Sequence, residues 1–274
     1  MPLRLLGGLH YLVLAGEASW DAVDSTLDEH GEFLRRFVRE HGVQTNEVQR
    51  SWVLLPSFLF AAEQGEADVL DLVELGSSAG LNLLWDRYGY TYAEGTWGPA
   101  DARLALAGEE RGSVPSRLLE RVPRVRSRLG IDREPLDVRG HEAARLLKAF
   151  VWADQRRRLE RIEQAIDTVR DDPPQLCRAD VVEVLPDLLA SRRSDALTLV
   201  FETATFGYLT SEERARARSA LDHAGRQGGL AFVSTGRARS GDSAWGLRVT
   251  VWPDGARTYV AHADYHGAWL DWLG

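Results

Sequence analysis

Lysine, cysteine and methionine are almost missing from this chain of 274 residues: Lys148, Cys177 and Met1 are the only ones of their kinds. A Schiff-base or phosphate-loop lysine mechanism therefore has one candidate. Lys148 sits in a helical pattern with no glycine-rich loop before it, so those mechanisms are set aside. A single cysteine excludes a disulfide framework and a cysteine-rich zinc site. No apolar run reaches the roughly 18 residues that a membrane-spanning helix needs, so no membrane partner is expected. Basic residues number 33 against 41 acidic ones, a net charge of −8. That balance argues against a nucleic-acid partner.

What is present is ordinary globular composition, 44% hydrophobic and 27% charged. A chain of this length buries one large core, or one core with a small appendage. Leu5, Leu9, Leu12 and Val13 repeat at helical spacing, and His10 interrupts the apolar stretch around them. The start therefore reads as a core helix and not a signal peptide, and a cytoplasmic protein is expected. Leu27, Phe33, Leu34, Phe37 and Val38 form a second helical stripe. Trp52, Leu55, Leu59 and Phe60 form a third, with a break or kink expected at Pro56. Between these stripes lies the polar cluster Val43-Gln44-Thr45-Asn46-Glu47-Val48-Gln49-Arg50, in which Thr45 or Asn46 is placed to cap the next helix. Residues 1–67 are thus expected to form a helical cap.

The pattern changes at Asp68. Val69–Glu74 is β-rich, a Gly/Ser/Ala turn follows, and Leu81, Leu84, Trp85 and Tyr88 recur at helical spacing. Residues 89–124, rich in glycine and aromatics, read as an insertion holding a hairpin, which could shape a pocket or a homodimer contact. Further strands are predicted at Val125–Ile131, Gln175–Ala179, Ala196–Phe201 and Leu230–Ser234, with one helix over Glu142–Val169 and another capped by Ser211. Leu247, Val249 and Val251 alternate with polar neighbours, turn at Pro253-Asp254-Gly255 and return through Thr258 and Val260 as an antiparallel hairpin. Seven strands alternating with helices predict an α/β fold, an open Rossmann-like sheet spanning 68–274.

The segment Glu74-Leu75-Gly76-Ser77-Ser78-Ala79-Gly80 has two readings. As E-x-G-x-S-x-G it is a nucleotide-binding turn: Gly76 permits the tight turn, Gly80 lets neighbouring elements pack closely, and Glu74 ends the strand. As G-x-S-x-G it is the nucleophile elbow of a serine hydrolase, with Ser78 as nucleophile and Glu202 with His262 or His266 to complete a triad. Context favours the nucleotide reading, because the turn follows the first strand, where an open doubly wound sheet binds its ligand. Asp132 then ends the second strand, placed for ribose hydroxyls, and Asp180 ends the third, placed for an adenine amino group. His262, Asp264 and His266 are metal-capable, yet their stretch reads as a strand end and turn and not as one face of a helix, so no metal is expected.

This set resembles the class I S-adenosylmethionine-dependent methyltransferases. Glu74, Gly76, Ser78 and Gly80 look like their first motif, Ile131-Asp132 with Pro135 their second-strand motif, and Asp180 their third-strand acid. The closing hairpin resembles their antiparallel pair. The resemblance implies a seven-stranded methyltransferase-type sheet, S-adenosylmethionine as cofactor and a small-molecule acceptor. Over nearly the whole chain, Val43–Arg50, Glu74–Tyr88, Trp97-Gly98-Pro99 and His266-Gly267 with Trp269 resemble a bacterial family catalogued as a domain of unknown function. That family tends to carry histidine and serine after the fourth strand, where this chain has Glu202-Thr203. By the methyltransferase likeness Glu202 is the candidate base and Tyr208 a lining residue of the acceptor site. The departure at Glu202-Thr203 also supports a second reading, a non-catalytic cofactor-binding protein of the same fold.

Overall fold

The computed structural model describes residues 2–43, 46–238 and 245–274. Helix α1 (Pro2–Ala15) begins on a proline, whose missing N–H costs nothing in a first turn. It packs with α2 (Val23–Glu29) and α3 (Gly31–Glu40) around Leu9, Leu12 and Leu34. Helix α4 (Arg50–Gln64) differs in kind, being buried from Arg50 to Ala62. The break expected at Pro56 does not occur. Leu54, Leu55, Phe58 and Leu59 are fully buried around it. Their burial, about 1.5–3 kcal/mol each, outweighs the roughly 3 kcal/mol cost of an interior proline.

Strand β1 (Val69–Leu75) leads into the turn, and the insertion then supplies β2 (Gly89–Tyr92), β3 (Gly95–Trp97), β4 (Ala105–Ala107), β5 (Glu109–Gly112) and the short α5 (Ser116–Leu119). The expected hairpin is β2 with β3, and β4 joins it in a small three-stranded sheet. There follow β6 (Arg124–Asp132), α6 (His141–Ala149), α7 (Arg156–Asp171), β7 (Gln175–Arg178) and α8 (Val181–Ala190). The chain ends with β8 (Leu197–Glu202), α9 (Ser211–Gly225), β9 (Leu230–Ser234), β10 (Trp245–Val251), β11 (Ala256–Ala263) and β12 (Trp269–Trp272).

The main sheet has nine strands in the order β5-β12-β11-β10-β9-β8-β1-β6-β7, not seven. The seven predicted strands are all in it; β12 and β5 are the additions. They pair in parallel with each other at the far edge, and β12 is antiparallel to β11. Five strands, β7-β6-β1-β8-β9, run parallel, and β9-β10-β11-β12 form an antiparallel meander. Every residue of β8 is buried, as expected for a parallel strand covered on both faces. Leu197, Leu199 and Phe201 enter one apolar cluster, with α4, while Val200 enters the other, with α8 and α9. No helix among the described residues is long and apolar enough to cross a membrane.

Two predicted helices take another form. Residues Leu81–Arg87 are a 3₁₀ segment kinked at Leu84. The hydroxyls of Tyr88 and Tyr90 donate to the carbonyls of Leu81 and Trp85, at 2.7 and 2.8 Å, which an α-helix would have used itself. The helix expected over Glu142–Val169 is two, α6 and α7. His10 Nδ1 lies 2.9 Å from the Val151 carbonyl, and Phe150 packs on Gly7 of α1, so the N-terminal helix is docked where the chain breaks.

Candidate functional site

In register, Leu75 at the end of β1 lies between Ile131 of β6 and Glu202 of β8. Three loops therefore leave the sheet side by side, at the point where the order of parallel strands reverses. With the loop after β7 they border a cleft of about 260 Å³ lined by Gly76, Ser78, Asp132, Asp180, Thr203 and Tyr208. Open α/β sheets bind ligands at such a point.

The turn is held from below. The N–H groups of Gly76 and Ser77 both donate to the Ile131 carbonyl, at 2.7 and 3.2 Å. Gly76 has φ +75°, and a Cβ there would stand 1.9 Å from Thr205 Oγ1. That hydroxyl donates to the Leu75 carbonyl at 2.7 Å. Ser78 holds φ +50°, unusual for a residue with a side chain, and its N–H donates to Asp132 Oδ2 at 2.8 Å. Gly80 (φ +71°) does not reach the cleft; it faces Pro174 and Leu176 of the β7 region.

The acids divide. Asp132 lines the cleft and accepts two backbone N–H groups, from Ser78 and from Glu134 at 2.9 Å. Asp180 also lines it, and it caps α8 by accepting the N–H of Val182 at 2.8 Å while pairing with Arg133. Against the desolvation of its setting, Arg133 and that cap hold its carboxyl below the usual range. Glu74, 1% exposed, lies behind the turn, and neither carboxylate oxygen has a hydrogen-bond partner at bonding geometry. Burial pushes its pKa well up; the Asn82 amide pulls the other way, Asp132 adds to the rise, and Arg50 offsets it. Glu202 is also fully buried. Its carboxylate accepts the N–H groups of Thr235 at 2.8 Å and Phe206 at 3.2 Å, and burial still raises its pKa.

Arg50 and Asn46 close the cleft from the α4 side. Arg50 Nε donates to the Tyr265 carbonyl at 3.0 Å, and its guanidinium lies over the rings of Tyr265 and Trp245. Asn46 Nδ2 donates to the Ser77 carbonyl at 2.7 Å, while its Oδ1 is buried without a partner. Asn46 is therefore a strut to the turn and not the cap of α4, whose first residue follows Gln49 with no side-chain cap. Gln44 and Thr45, the other residue expected to cap, lie outside the described residues.

A family model spans residues 1–272, that of the family described as "Uncharacterized protein conserved in bacteria (DUF2332)". The chain belongs to this bacterial family. No curated protein and no solved structure matches it.

In this family member, then, Gly76, Ser78, Asp132, Asp180 and Tyr208 of the predicted set come together, and Glu74, Gly80 and Glu202 stand behind them. Tyr208 is 84% exposed at the rim. Among the described residues no histidine lines the cleft. His262 instead lies beside Asp271 and His266 beside Glu47, at 3.8 and 4.0 Å. Sequence reasoning missed Arg50, Asn82 and Thr203 as cleft residues. For Arg50 the available signal was the polar run 43–50 itself, too polar for the buried start of a helix unless it meets other polar groups.

Proposed function

We propose that this chain binds S-adenosylmethionine at the carboxyl edge of β1, β6 and β8 and transfers its methyl group to a small-molecule acceptor. The single observation that carries the reading is the convergence of the loops after β1, β6, β7 and β8 on one cleft where the parallel strand order reverses. On this reading the seven predicted strands are a methyltransferase-type core, to which β12 and β5 are appended at one edge.

The residues present fit such a ligand. Asp132 keeps lone pairs beyond its two backbone bonds and can accept ribose hydroxyls. Asn46 Oδ1 is a buried acceptor still lacking a donor, and Asp180 is an ionised acceptor at the end of β7. Arg50 offers a cation to the ligand's carboxylate. The cofactor supplies its own electrophile, so the protein has chiefly to bind and align. A general base is needed only for an acceptor that must lose a proton. Glu202, committed to Thr235 and Phe206, has no face on the cleft. That observation favours acceptors needing no base, and it is also what supports the second reading, cofactor binding without catalysis.

Thermal-shift measurement with S-adenosylmethionine and S-adenosylhomocysteine tests the proposal. A rise in melting temperature with both supports it, and no rise at millimolar ligand opposes it. Covalent labelling of Ser78 by a fluorophosphonate would replace it with the hydrolase reading.

A further inference from the structure

Segment 46–50 has a second side. Asn46 and Arg50 face the cleft at the sheet edge, while Glu47 and Gln49 face a separate cavity of about 630 Å³. The chain near the C-terminus divides in the same way, with Tyr265 on the first side and His266 on the second. The second cavity is lined by the consecutive Arg156, Arg157 and Arg158 and by Arg161 one turn further along α7.

Four guanidinium groups meet two carboxylates there, Glu47 and Asp154. Only Arg158 is matched: it pairs with the buried carboxylate of Glu47. Among the described residues, no carboxylate lies within ion-pair distance of Arg156, Arg157 or Arg161. Arg161 is half-buried, with its Nε sequestered from solvent and lacking a hydrogen-bond partner. Desolvation lowers its pKa; Glu47 counters, and Arg158 and Arg157 lower it further by repulsion. The backbone adds to the same field. Arginines occupy the first turn of α7, where the helix dipole disfavours cations, with no acid in that turn and no side-chain cap on Gln155. Like charge concentrated against the dipole is unfavourable in the free protein and becomes favourable once an anion is bound.

On a protein of net charge −8 this concentration is local. Guanidinium forks match the paired oxygens of a phosphate better than a point cation does. Trp152, half-exposed at the rim, offers a flat apolar wall beside them.

We propose that this cavity is a binding site for a phosphate-bearing small molecule, held by Arg156, Arg157 and Arg161 and distinct from the cleft at the sheet edge.

Calorimetric titration of the full chain with inorganic pyrophosphate, at low ionic strength and with intrinsic tryptophan fluorescence followed in parallel, tests this. Saturable binding to one site is expected, weakened about tenfold or more in Arg157→Ala and Arg161→Lys and unchanged in Asp132→Ala. Arg157 is exposed, so its replacement leaves folding intact. Three results would overturn the proposal: no saturable binding at millimolar pyrophosphate, equal affinity in the arginine variants, or loss of binding in Asp132→Ala. The last would move the anion to the sheet-edge cleft. Arginine-dependent binding of an oligonucleotide but not of pyrophosphate would also overturn it, in favour of a nucleic-acid site.

Discussion

The carboxylate of Asp132 accepts the backbone N–H of Ser78 at 2.8 Å, tying the end of the second parallel strand to the turn after the first. Its other oxygen accepts the N–H of Glu134 at 2.9 Å. One side chain thus sets the shape of two loops bordering the cleft. Asp132→Ala removes both bonds and is expected to cost about 1–3 kcal/mol of stability. Asp132→Asn keeps one acceptor oxygen and should lose less. Denaturant unfolding of the two variants measures the difference.

Gly76 depends on Thr205. Gly76→Ala places a methyl group 1.9 Å from Thr205 Oγ1, at φ +75°. The single variant should lose about 2–4 kcal/mol, from the clash together with the left-handed backbone. In Gly76→Ala with Thr205→Ala the clash with the hydroxyl is gone, so the double variant should be less destabilised than the two single losses added together. A double-mutant cycle in urea reads this directly.

Glu74 and Glu202 are buried carboxyls with raised pKa values, burial being the leading cause in both. Above the ordinary value of 4.5, and up to the raised native one, the native protein binds more protons than the unfolded chain. Stability therefore falls as pH rises through that interval. Glu74→Gln removes one such proton uptake. In the absence of ligand the variant should gain stability over the parent as pH climbs above about 4.5, and the two should converge below it. Melting temperatures from pH 4 to pH 8 check the sign.

Helix α9 is capped by Thr210, one residue before the serine that the sequence suggests. Thr210 and Glu213 exchange side-chain bonds with each other's backbone as a capping box. Thr210→Ala should cost about 0.5–2 kcal/mol, whereas Ser211→Ala should change stability by less than about 0.5 kcal/mol. Thermal unfolding distinguishes them.

The central parallel strands β8 and β9 are legible because strands covered on both faces become apolar runs, as in Leu197–Phe201, which ends at Glu202. Strand β5 is not, since Glu109-Glu110-Arg111-Gly112 carries no apolar alternation and is held by its edge pairing with β12. The 3₁₀ segment after Gly80 shares the i, i+3, i+4 spacing of an α-helix, and the hydroxyls of Tyr88 and Tyr90, seven and five residues on, take carbonyls that an α-helix would use. At the site, Asp132 follows from strand position alone. Arg50 does not: its place in the cleft depends on Tyr265 and Thr203, more than 150 positions away along the chain.

The most direct test of the central claim is calorimetric titration of S-adenosylhomocysteine into the parent protein and into Asp132→Ala. Saturable binding by the parent is predicted, weakened by about 1–3 kcal/mol, roughly 5- to 150-fold, in the variant. No heat of binding in the parent at millimolar ligand, or equal affinity in both proteins, would contradict the assignment of this cleft to that cofactor.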